Sequence, residues 1–264
     1  VWQFCKNVDF GILKVILFTF SAKSPLQPCI RWFDARMKVR YIRAARLISG
    51  ERVHMTIHQN LIAGEWVGGD GTANINPSDT NDVVGTYARA TAEDTKAAIA
   101  AAKAAFPAWS RSGILERHAI LRKAADEILA RKDELGRLLS REEGKTLAEG
   151  IGETIRASQI FDFFAGECLR LAGETLPSAR PGIGVEVTRE AVGVVGIITP
   201  WNFPIAIPTW KIAPALCYGN TIVFKPADLV PGCSWAIVDI LHRAGLPKGV
   251  LNLVMGRGSV VGQT

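Results

Sequence analysis

Between Val192 and Val254 the chain repeats one order: an apolar strand, a turn, a helix and another apolar strand. Strands are expected at Val192–Ile198, Thr221–Phe224 and Val250–Val254, with helices at Pro208–Tyr218 and Pro231–Ala244 between them. A helix of that length returns the chain beside the strand it left, in the same direction and by a right-handed crossover. The segment therefore predicts an α/β fold built on a doubly wound, parallel, Rossmann-like sheet, with its ligand at the carboxyl ends of the strands. The unbroken apolar run Val192–Ile198 predicts burial on both faces. Just before it, VEVTRE at Val185–Glu190 alternates polar and apolar residues, so 183–191 are assigned to a half-exposed strand able to pair with a second subunit.

Three helical patterns precede these strands. TAEDTKAAIAAAKAAF (Thr91–Phe106) opens on a Thr N-cap followed by acids and repeats apolar residues at spacings of three and four. A second pattern runs from Ser112 to Glu143, placing Ile114, His118, Leu121, Ala125, Ile128, Leu135, Leu138 and Leu139 near one face, with Gly144 as its stop. A third covers about 145–171 and includes Ile151, Ile155, Ile160 and Phe163 or Phe164. After the last strand, Gly256-Arg257-Gly258-Ser259 leads into a further helix.

The folded body is expected to begin at Met55, where MTIHQNLIAGEWVGG brings alternating apolar positions, a Trp and a Gly turn. Residues 1–54 lack sustained periodicity and carry ten Lys and Arg against three acids, whereas the remainder carries 21 against 22. The formal charge of +6 thus belongs to this leader, read as upstream sequence outside the true protein or, alternatively, as a basic organelle-targeting segment. Without a basic excess the body, 55–264, gives no footing for nucleic acid as a partner. The longest apolar run, Gly11–Ala22, is interrupted by Lys14 and is too short to span a bilayer, so no membrane partner is expected. The five cysteines show no CxxC spacing and the four histidines form no ligand pattern with them. No metal site is expected, and a reduced, cytoplasmic setting fits.

The chemistry gathers where the strands end. TPWNFP (Thr199–Pro204) follows the first buried strand, and its two prolines impose a non-helical backbone around Trp201 and Asn202. An Asn amide offers donors that never ionise, suited to stabilising an oxyanion as a carbonyl is attacked; the alternative is an Asx-turn that satisfies backbone groups only. The next strand delivers Lys225-Pro226-Ala227-Asp228 to the same edge. In order and spacing, IITPWNFP, GNTIVFKPAD and HRAGLPKGVLNLVMGRGSVVG resemble the aldehyde dehydrogenase superfamily, over roughly Asn60 to Thr264. The wording of the body is most similar to succinate-semialdehyde and 2-oxoglutarate-semialdehyde dehydrogenases.

That resemblance implies a role for each matching position. Asn202 corresponds to the oxyanion-hole amide, and Pro200 and Trp201 line the cofactor and substrate passage with it. Lys225, Ala227 and Asp228 lie against the adenosine ribose. Gly258 and Ser259, within Gly256-x-Gly258-x-x-x-Gly262, stand at a helix start beside the cofactor, with a plain tight turn as the alternative. A carboxylate at Asp228 pairs with a 2′-hydroxyl and repels a 2′-phosphate, which favours NAD over NADP, while Lys225 pulls the other way. Arg170 aligns with an arginine that holds the far carboxylate of a semialdehyde, a task suited to a bidentate guanidinium; an ion-paired helix arginine is the alternative.

The partners implied are a small-molecule aldehyde and further copies of the chain, as a dimer or tetramer. Family chemistry also uses a nucleophilic thiolate and a glutamate that activates water, both beyond the glycine motif and so after Thr264. Cys168, Cys217 and Cys233 read as small apolar filler. The expectation is an amino-terminal fragment without the catalytic domain, which by itself oxidises no aldehyde. The alternatives are a non-catalytic nucleotide-binding or subunit-association module, and a CoA-acylating relative.

Overall fold

The computed structural model describes residues 8–10, 13–15 and 56–264. The chain divides into two compact units, Val1–Val53 and His54–Thr264. In the first, the antiparallel pair β1 (Val8–Phe10) and β2 (Leu13–Val15) is described. The readings of a basic leader and of a start at Met55 otherwise lie outside the described residues.

In the second unit β3 (Ile57–His58), β4 (Asn60–Ile62), β5 (Glu65–Val67), β6 (Gly71–Ile75) and β7 (Val83–Ala88) precede four helices. These are α1 (Ala92–Trp109), α2 (Ile114–Ala130), α3 (Lys132–Glu143) and α4 (Leu147–Cys168). The hairpin strands β8 (Glu174–Pro177) and β9 (Gly184–Val187) follow. Then come β10 (Val194–Ile198), α5 (Ala206–Cys217), β11 (Thr221–Lys225), α6 (Pro231–Arg243), β12 (Leu251–Leu253) and a π-helical turn at Gly258–Gly262. Reciprocal capping boxes open α1, through Thr91 and Asp94, and α4, through Thr146 and Glu149. The helical pattern 112–143 is two helices, because Arg131 leaves helical geometry (φ −99°, ψ 16°); Gly144 ends the second in the left-handed region at φ 94°.

Strands β10, β11 and β12 are parallel neighbours, with Val194 opposite Thr221 and Ile222 opposite Leu251. The sheet as a whole is mixed. Strand β4 joins β12 antiparallel and β5 joins β4, giving the order β10-β11-β12-β4-β5. Alternation in a short amino-terminal hairpin does not specify which strand it will meet, so this extension is decided by tertiary packing. A second sheet, β3-β7-β6, is also mixed. Ile222 and Phe224 are fully buried among Phe161, Ile212, Leu216 and Ile237 on one face of the main sheet. Val223 and Val254 pack on the other, against Ala98 of α1 and Val261.

Two expectations are corrected here. Strand β10 is not buried on both faces: Val194 is 39% and Ile198 63% exposed, because β10 is the edge of the sheet and this face borders an open cleft. The strand assigned to 183–191 is shorter, β9 pairing with β8 in an antiparallel hairpin exposed at every position.

A carboxylate from α3 caps the start of the second crossover helix, α6. Glu142 is fully buried and accepts the amides of Gly232 and Cys233 at 2.6 and 2.8 Å, on the first turn of α6. Position 232 is glycine because a Cβ there would lie 2.2 Å from the Tyr87 hydroxyl. Burial pushes the Glu142 carboxyl up to about 7, against the two N–H bonds that favour its anion. A folded-state value above the unfolded one contributes stability that is fully present below the ordinary carboxyl range and is lost as pH rises through about 7. Melting temperature is therefore expected to fall between about pH 5 and 8, and Glu142→Gln to flatten that slope; an unchanged slope in thermal melts across the range contradicts the assignment.

Candidate functional site

The Thr199–Pro204 loop leaves the carboxyl end of edge strand β10 and turns directly into α5. It is clamped from α4 and the turn before it. The Lys145 Nζ donates to the Asn202 carbonyl at 2.6 Å and to Glu153 at 2.9 Å, and lies 3.7 Å above the Phe203 ring. The other Glu153 oxygen accepts the amides of Ile205 and Ala206 at 2.9 and 3.0 Å, capping α5. Glu153 is buried, so this pair works in low dielectric, where a partner's loss is costly. Asn202 stays exposed, and its side-chain amide makes no hydrogen bond among the described residues. No Asx-turn forms, because the backbone N–H it would need two residues on is absent at Pro204.

Neither Lys145 nor Glu153 was picked out from the sequence. Their one signal is a glutamate interrupting the buried stripe Gly150, Thr154, Ala157 of α4, and a lone carboxylate does not announce the helix end it caps.

Beside the loop, the exposed face of β10 borders a cleft of about 300 Å³, lined by Val194, Gly196, Ile198, Lys225, Val254 and Val261 among others. Lys225 is buried and donates to the Pro226 carbonyl at 2.8 Å; burial lowers its pKa, with Asp228 opposing that shift. The Asp228 carboxylate is engaged by the Arg89 guanidinium, at 2.9 and 3.0 Å, and Arg89 also donates to Thr72. Ala227 is half-buried, its carbonyl closing a turn with the Val230 amide. Pro200, Trp201, Gly258 and Ser259 are all exposed, the last two opening the π-helical turn. Gly256 before them has φ 151°, and a Cβ there would lie 3.1 Å from Val261, so the turn requires glycine.

Arg170 is not brought to this loop. It stands beyond the far end of α4, its side chain 65% exposed and ion-paired with Glu167 at 2.6 Å. Glu153, near the start of α4, is separated from that end by about 20 Å of helix at 1.5 Å per residue.

Residues 66–264 match the aldehyde dehydrogenase family. The chain belongs to that family. It is 47% identical over 207 residues to the alpha-ketoglutaric semialdehyde dehydrogenase of Bacillus subtilis, covering 77% of this chain and 42% of that protein. With the glutarate-semialdehyde dehydrogenase of Pseudomonas putida it shares 41% identity, over 77% of this chain and 43% of the relative. Among solved structures, an Escherichia coli NADP-dependent enzyme superposes with a TM-score of 0.75 at 38% identity, covering 80% of this chain and 44% of the other. The betaine aldehyde dehydrogenase of Staphylococcus aureus, solved with NAD+, gives 0.75 at 36% identity, over 79% and 42%. The chain spans less than half the length of these relatives.

This family's dinucleotide fits the cleft by its chemistry. The cleft has an apolar floor and a buried cation, and the Thr199 hydroxyl at its strand end is buried without a partner among the described residues. The clamp itself is testable: Glu153→Ala leaves two helix amides unpaired and takes from Lys145 its nearest carboxylate, and is expected to cost about 3 kcal/mol in denaturant unfolding. It should also speed hydrogen exchange at Ile205 and Ala206; unchanged exchange there speaks against the clamp.

Proposed function

We propose that the whole protein oxidises a short aldehyde with NAD or NADP, and that this chain supplies the dinucleotide cleft and the oxyanion donor. The observation that carries this reading is the Asn202 amide, exposed and unengaged at a strand's carboxyl end while its backbone is fixed by Lys145. A donor so placed loses no existing bond when a carbonyl oxygen gains charge, and its backbone need not rearrange. Lys225 would hold the adenosine ribose, with Pro200 and Trp201 beside it and Gly258 and Ser259 at the turn across the cleft. When bound, the oxidised cofactor supplies the hydride acceptor.

The attacking thiol is proposed to lie outside the described residues. Cys168, Cys217 and Cys233 are all fully buried, and burial pushes the Cys233 thiol up; Cys217 is raised by its hydrogen bond with Cys168 and by burial. The β8–β9 hairpin, exposed at every position, is proposed as the subunit-pairing strand in a homo-oligomer. Free buried thiols fit a reducing, cytoplasmic setting.

Two measurements test this reading. The purified 264-residue chain should bind NADH, seen as enhanced nicotinamide fluorescence, yet form no NADH when given aldehyde and NAD. Aldehyde-dependent turnover would place the nucleophile within the chain, and absent cofactor binding would remove the cleft from the argument. Because Arg89 neutralises Asp228, a 2′-phosphate is repelled less than a free carboxylate would repel it. Arg89→Ala is expected to lower NADPH affinity relative to NADH by about tenfold, near 1.4 kcal/mol, in fluorescence titrations; an unchanged ratio removes the pair from cofactor selection.

A further inference from the structure

Lys225 lines the cleft with no carboxylate to hold its charge. It closes strand β11, two residues after Val223 and directly opposite Ile198 of β10. Alternation along β11 and register across to β10 place these three side chains on one face of the sheet, and all three border the cleft, with Val194, Val254 and Val261. Among the described residues that line it, Lys225 is the one ionisable side chain. An ammonium has three protons to donate, yet among the described residues its Nζ makes one hydrogen bond, to the neutral Pro226 carbonyl at 2.8 Å, and no ion pair. Asp228, three residues on, has both carboxylate oxygens engaged by Arg89 at 2.9 and 3.0 Å. Lys145, by contrast, is paired with Glu153 at 2.9 Å.

Such a place favours the neutral amine. Lys225 is 8% exposed, and hydrocarbon walls replace the water that would solvate an ammonium. Its pKa is lowered by that burial, and Asp228 is the charge that opposes the shift. Desolvated lysines of this kind are nucleophiles toward carbonyl carbon and form imines. The cleft, of about 300 Å³, has room for a short aldehyde, and β10, which borders it, runs into the loop that carries Asn202.

We propose that Lys225 is a carbonyl-reactive amine, and that an aldehyde entering the cleft before the dinucleotide condenses with its Nζ and keeps the cofactor out. This rests on the reading above of the cleft as the dinucleotide's and of an aldehyde as the substrate, and adds a covalent modification site to it. The Nζ lone pair forms a bond to the carbonyl carbon while the proton lost by nitrogen passes to the carbonyl oxygen, giving a carbinolamine. The carbon–oxygen bond then breaks, water leaves and the C=N bond of the imine forms. Nothing is oxidised or reduced, and hydrolysis reverses the step. The adduct removes the donor assigned to the ribose and fills the space beside it, so excess aldehyde inhibits by competing with the cofactor.

For the test, the full chain is treated with propanal and cyanoborohydride, which reduces the imine to a stable secondary amine, and the labelled lysines are mapped by peptide mass spectrometry. Near neutral pH, Lys225 is expected to be labelled about tenfold faster than the exposed Lys96 and Lys103 of α1. Asp228→Asn, which removes the charge opposing the free amine, should speed labelling at Lys225 alone. NADH added first should slow it there and leave Lys96 and Lys103 unchanged. If Lys225 is labelled no faster than those two, the proposal is overturned while the dinucleotide reading stands. If it is labelled fast but NADH, bound in the same sample, gives no protection, the exclusion of the cofactor is overturned. Failure of NADH to bind with no aldehyde present overturns the reading of the cleft and, with it, that exclusion.

Discussion

Two buried carboxylates, Glu142 and Glu153, sit on the amino-terminal N–H groups of the two crossover helices, and the functional edge of the sheet is built around them. A helix start leaves its first amides unpaired and carries partial positive charge, so a carboxylate there satisfies hydrogen bonds and dipole together. Both carboxylates come from the α3–α4 region rather than from the sheet. They tie the helical layer to the strand ends, and they bring Lys145 across to fix the loop that carries Asn202.

This arrangement has an electrostatic consequence. In many doubly wound folds the helix starts at the carboxyl edge of the sheet receive the ligand's anionic groups. Here the starts of α5 and α6 are already occupied by protein carboxylates. The cations left near this edge are side chains: Lys225 in the cleft and Arg89 beside Asp228. The Arg89–Asp228 pair also alters the meaning of the acidic residue. A free carboxylate would disfavour a 2′-phosphate, whereas a paired one presents little net charge to it.

Much of the fold was legible in the chain. The strand–helix alternation of residues 192–254, the Thr91 cap and the Gly144 stop are local patterns, and each is where the periodicity or the cap chemistry places it. The candidate site's place at strand ends was legible too, since TPWNFP and KPAD are short motifs that follow predicted strands. What escaped was non-local. The antiparallel addition of β4 and β5 and the exposure of β10 depend on neighbours distant in sequence. Lys145 and Glu153 read in isolation as ordinary charges at a helix start, and Arg89 as a surface cation.

The Arg89–Asp228 pair marks the division most clearly. The sequence by itself determined the family and put Asn202, Lys225 and Asp228 at strand ends, because backbone periodicity and short motifs are encoded by adjacent residues. Only the tertiary structure decided which charges meet there. Arg89 lies 139 residues from Asp228, and Lys145 57 from Asn202, so neither contact exists until these distant segments have packed.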